Sequence, residues 1–243
     1  MKLVCNKLVF QFLYSKTFYL IFLLLLVVMF ITNIGNVKWN NNEMNLIFCY
    51  QSFFRRMLVL FLIIPSFLFL LDGALRFFDQ YKVLLKFAYI REWWKLKVFT
   101  IFMVTLVFVL LLHMILLIVL FSNGVLKYIT FDFLLYLLSS FLLQIIGFTL
   151  ISAIYKTLGY LLKSKYIAIL TAYIFLLIPF AISGLFTFNI YSLPDYMFLM
   201  NIKDYSDIVS NFIILFPLLF LLSICLFILN YIIIKRQDIY WRR

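Results

Sequence analysis

Residues 76–97 read RFFDQYKVLLKFAYIREWWKLK, a charged and aromatic stretch set between two long apolar runs. At helical spacing Phe77, Tyr81, Leu84, Leu85 and Ala88 share one face, with Arg76, Asp79, Lys82 and Lys86 on the opposite one. That pattern predicts an amphipathic helix lying at a membrane surface, not a span. The stretch then closes on Arg91, Glu92, Trp93, Trp94, Lys95 and Lys97, indole rings and cations of the kind that settle in a headgroup layer where the next span begins.

Around this segment the chain is hydrocarbon-compatible. Of its 243 residues 67% are apolar and 12% charged, with a mean hydropathy of +1.15, against about 45–50% apolar usage in soluble domains. A soluble globular domain is thereby excluded. The formal net charge of +12 sits in short clusters between apolar runs, which points to anionic lipid headgroups and to orientation, with no nucleic-acid partner.

Runs able to span about 30 Å of hydrocarbon as helices fall at 17–36, 54–74, 98–121, 132–155, 166–188 and 211–234. The alternation that marks a membrane β-barrel is absent, so the predicted fold is all-α, one polytopic domain of six transmembrane helices over 1–243. Residues 1–16 are read as an interfacial lead-in. The run from Phe18 to Ile34 is long for the core of a secretory signal and no A-x-A-like site follows, so it is read as the first span. Sixteen of the 21 Lys and Arg residues fall on the side of the termini and of residues 76–97, which predicts cytoplasmic N- and C-termini.

Three connections then face outward. GNVKWNNNEMN, running on to Arg55 and Arg56, reads as a polar loop, and Asn123-Gly124 as a tight turn that makes the third and fourth spans neighbours. Residues 189–210 are too apolar for an idle loop. Pro194 and Asp195 read as a helix start and Tyr196–Ile202 as an interfacial or re-entrant piece. Pro65, Pro179 and Pro217 lie inside spans, and no internal repeat is visible.

Ionisable residues inside spans announce chemistry, because each is costly to bury there. Asp72 and Asp132 lie near span ends, and only His113 lies deep in a run, where a neutral ring bonded to a neighbouring helix is the plainer reading than a proton relay or ligand. Ser139, Ser140, Gln144, Thr149 and Ser152 mark the fourth span for helix packing or a pathway, with His113, Ser140 and Gln144 the candidate pathway or packing residues. Cys5, Cys49 and Cys225 are far apart and indicate neither a disulfide framework nor a metal site. The glutamates are Glu43 and Glu92 alone, both in connections, and G-x-S-x-G, H-E-x-x-H and the P-loop pattern are all missing. The chain is therefore not expected to be an enzyme, and no catalytic residue is assigned.

The basic lead-in Met1–Lys16, the segment ending Tyr89-Ile-Arg91-Glu-Trp93-Trp94-Lys95, the partly apolar outer segment and the basic end Lys235–Arg243 together resemble the six-span permeases of type-2 ATP-binding-cassette exporters. The likeness is to the short bacterial permeases linked to bacteriocin or lantibiotic export and self-immunity. It implies a coupling helix after the second span that docks on a separate cytoplasmic ATPase, a second permease chain, and a peptide or other amphipathic substrate moved outward across the plasma membrane. ATP and Mg would be held by the ATPase, with no cofactor on this chain. Arg91, Trp93, Trp94 and Lys95 are the matching positions, Glu92 departs from the usual Ser or Lys, and Lys82 and Lys86 join them from the helical reading. The rival expectation is a non-transporting immunity or accessory protein that binds a toxin or partner.

Overall fold

The computed structural model describes residues 15–34, 46–76, 78, 89–122, 124, 129–162, 164–185, 191–200, 202 and 206–237. The described residues form helices and short connections, without a strand among them. In chain order the helices are α1 (Lys16–Ile34), α2 (Leu46–Leu75), α3 (Ile90–Ser122), α4 (Phe131–Leu162), α5 (Lys165–Leu185), the short α6 (Leu193–Met197) and α7 (Ser206–Gln237). Five of them, α2, α3, α4, α5 and α7, are long and apolar enough to cross a membrane. The sixth expected span corresponds to α1, whose apolar stretch Lys16–Thr32 is shorter. At a rise of about 1.5 Å per residue the 33-residue α3 is about 50 Å long, so it outreaches the hydrocarbon layer by several turns.

The long helices run up and down. Contacts among Asp72, Arg76, Trp93, Trp94, Lys97, Tyr155, Tyr160 and Tyr231 gather one end of the bundle, here called the basic end. Contacts among Tyr50, Arg56, Tyr136, Ser140, Ser183, Asp195 and Leu199 gather the other, the capped end. α4 is the hub. It meets α2 through Tyr155 and Asp72, α3 through Phe148 and Phe108, and α7 through the Ala153 carbonyl, which accepts from Asn230 Nδ2 at 3.2 Å. Against α5 its Gly159 comes close enough that an added Cβ would sit 3.8 Å from that of Ala168. Small residues at such crossings let backbones approach where lipid removes the hydrophobic drive for association. α5 and α7 lie at the periphery, with 17% of their apolar windows buried against 61% for α2.

α2 begins earlier than the sequence suggests. Leu46–Phe53, expected as part of a polar loop, is helical because Leu46, Ile47, Tyr50 and Phe53 recur on one face and bury it. The helix breaks once at Arg55, whose ψ of 138° is extended, and continues through a π turn at Val59–Ile63. That wider turn, closed by the Ile64 N–H on the Val59 carbonyl, stands ahead of Pro65, which lacks an N–H and would crowd an α-helical carbonyl. Pro179 and Pro217 lie inside α5 and α7 as expected.

The predicted turn at Gly124 has φ 67° and closes on the Phe121 carbonyl at 3.0 Å, and α3 and α4 are neighbours. Half of the proposed surface helix over 76–97, residues 77 and 79–88 with Lys82 and Lys86, lies outside the described residues. Its last eight residues, 90–97, form the first two turns of α3 and are continuous with it.

Candidate functional site

At the basic end the start of α3 divides its side chains by depth. Arg91, Glu92 and Lys95 are exposed, whereas Trp93 and Trp94 are 5% and 8% exposed. Trp93 donates its indole N–H to the Phe78 carbonyl at 3.1 Å, pinning the end of α2 to the start of α3. Trp94 packs on Phe227 and Tyr231 of α7. The two indoles therefore seat the element in its own bundle, and the three charged residues form its outward face. Beside them Lys97 is buried with its ammonium 4.5 Å from the Trp93 ring centroid and 5.4 Å from that of Tyr160, a desolvated cation held over aromatic faces.

At the capped end the segment after α5 folds back onto the bundle. Ser192 and Asp195 form the capping box of α6, the Asp195 carboxylate accepting from the Ser192 backbone N–H at 2.6 Å. The same carboxylate oxygen pairs with Arg56 at 3.0 Å, and Arg56 also lies over the Phe180 ring. Past α6 the chain turns through Leu199, at φ 50°, and points carbonyls inward. Tyr136 donates to the Leu199 carbonyl at 3.3 Å, and Gln51 donates to that of Ile202 at 2.6 Å. Met197 lies over Gly147, where an added Cβ would collide with it. The interfacial or re-entrant piece read from the sequence is thus a plug in the bundle end, with Met197, Phe198, Leu199 and Ile202 buried.

Beneath the plug lies a polar cluster in the core. Tyr50 and Ser140 share a hydrogen bond, and Gln144 Nε2 donates to the Tyr50 hydroxyl at 2.8 Å and to Ser140 Oγ at 3.0 Å. Ser140 and Gln144, singled out from the sequence, are brought together. His113 stands one ring away, against Phe54 and Phe141, and its Nδ1 bonds the Val109 carbonyl of its own helix at 3.0 Å instead of a neighbouring helix. Its Nε2 and the Gln144 Oε1 are buried without a hydrogen-bond partner among the described residues. Thr149 and Ser152 bond back to their own helix, which serves packing.

Three groups escaped the sequence reading: Tyr50, the Arg56–Asp195 pair, and the burial of Asp72. The signal was there for the pair, since Arg56 and Asp195 are opposite charges assigned to the same side. Among the described residues no group of three or more His, Cys, Asp or Glu could hold a metal ion. No family model, curated protein or solved structure matches the chain.

Proposed function

We propose that this chain is the permease subunit of an ATP-binding-cassette exporter, a bacterial plasma-membrane protein that moves a peptide or other amphipathic substrate outward with a separate cytoplasmic ATPase. The supporting observation is α3 itself. One uninterrupted 33-residue helix joins the exposed Arg91, Glu92 and Lys95 to the far side of the bundle. A displacement applied at those charges travels along a rigid rod and reaches the plug through Phe54, which touches both His113 of α3 and Phe198. In this reading Lys82, Lys86, Arg91, Glu92 and Lys95 meet the ATPase, Trp93 and Trp94 transmit the load, and a second permease chain completes the unit.

The test is co-purification with a P-loop ATPase encoded beside it and measurement of that ATPase's turnover. Charge reversal of Arg91 and Lys95 is expected to break the complex and uncouple turnover while the chain still folds. An intact complex with unchanged turnover refutes the docking assignment. A non-transporting immunity role is favoured instead if no ATPase is retained from native membranes.

A further inference from the structure

A cleft of about 690 Å³ opens at the basic end between the first turns of α1, the end of α2 and the start of α5. That size falls within the roughly 300–1,000 Å³ of ordinary small-molecule sites. Leu20, Leu24 and Phe69 contribute apolar walls and are exposed, so the cleft is open to whatever surrounds the apolar faces of α1 and α2. At its polar side stand Asp72 and Arg76, one turn apart.

Asp72 is 9% exposed. Its Oδ1 accepts from the Tyr155 hydroxyl at 2.8 Å, but among the described residues its Oδ2 has only Arg76 at 3.7 Å, beyond hydrogen-bond reach. A carboxylate offers about four acceptor positions, and a buried charge needs them filled. Among the described residues Asp72 Oδ2 thus lines the cleft without a hydrogen-bond donor, while the Arg76 side chain, 62% exposed, remains able to pair with an anion. The pair is matched by a ligand carrying a cationic donor and an anion a few bonds apart, attached to an apolar tail.

We propose that the cleft binds an aminophospholipid. The primary ammonium donates to Asp72 Oδ2, the phosphodiester pairs with Arg76, and an acyl chain lies along Leu20, Leu24 and Phe69. A choline headgroup has no N–H to give, and a glycerol headgroup has no cation. The position suits a lipid because Lys16 and Arg76 put this end of the bundle among cations at headgroup level, with the apolar faces of α1 and α2 running away from it. Binding needs no nucleotide or ATPase, so it stands apart from the transport reading.

The experiment supplies the detergent-purified chain with equal amounts of phosphatidylethanolamine, phosphatidylcholine and phosphatidylglycerol and quantifies retained lipid by mass spectrometry. Phosphatidylethanolamine is expected to be retained about tenfold over the others, the size of one charge-assisted hydrogen bond. Asp72→Asn keeps an acceptor for Tyr155 and should erase that preference. Gly73 also lines the cleft, and an added Cβ there meets nothing within 4 Å. Gly73→Leu should therefore empty the cleft of lipid without lowering the melting temperature. Equal retention of the three lipids, a preference for phosphatidylglycerol, or an undiminished preference in Asp72→Asn overturns the proposal. So does displacement by an amphipathic lysine peptide that binds more tightly than any of the lipids.

Discussion

The Arg56–Asp195 pair shows how one contact holds a whole segment. Asp195 is buried, 5% exposed at its side chain, and serves twice, as the N3 residue of the α6 capping box and as the partner of Arg56. Removing it takes the carboxylate from Arg56 and opens the helix start, two losses at once, whereas removing Arg56 leaves Asp195 its capping bonds from Ser192. Asp195→Ala should therefore destabilise the protein by about 3 kcal/mol and Arg56→Ala by about 2 kcal/mol. The double variant should cost clearly less than their sum, read by thermal unfolding in detergent. Additive losses would mean that the two side chains act independently. Gly147 gives a second test. Gly147→Ala puts a methyl group into Met197 and should cost about 1–3 kcal/mol as overpacking. The same change made on a Met197→Ala background should cost almost nothing.

The start of α3 separates two jobs within five residues. Trp93 and Trp94 are buried in the bundle, and Arg91, Glu92 and Lys95 are not. Trp93→Phe keeps the ring but loses the bond to the Phe78 carbonyl, and should lower stability by about 1 kcal/mol. Reversing Arg91 and Lys95 together should leave stability within about 0.5 kcal/mol, because exposed charges away from a packed feature contribute little. If the ATPase reading is right, only the second change abolishes partner capture while the fold persists. A large stability loss from the charge reversal would place those cations in the packing of the bundle.

For the molecule as a whole, the alternation of α2, α3, α4, α5 and α7 sets residues 95 and 236 at one end and residues 132 and 207 at the other. With the native cysteines replaced, single cysteines at 95 and 236 should be shielded from an impermeant thiol reagent added to intact cells. Cysteines at 132 and 207 should react. The reverse pattern would invert the orientation read from the Lys and Arg distribution. A cysteine at Ser15 reacting from outside would show that α1 and the basic end lie on different sides of the membrane.

Much of this architecture is written in local composition. An apolar stretch about 20 residues long must hydrogen-bond its own backbone in lipid, so the long helices and their alternation follow from the chain alone. Pro194-Asp195 as a helix start and the turn at Gly124 follow from equally local chemistry. The helix at Leu46–Phe53 was hidden because the polar stretch before it and the arginines after it look like a boundary, and Arg56 is tolerated there through Asp195, 139 positions away. Likewise nothing nearby in the chain tells Asp72 to meet Tyr155, or Tyr50 to meet Gln144. Those encounters depend on how the helices rotate against α4, and that rotation is chosen by close packing among dozens of similar apolar side chains. Periodicity marks which residues are apolar, but in a chain this uniformly greasy it leaves open which faces touch.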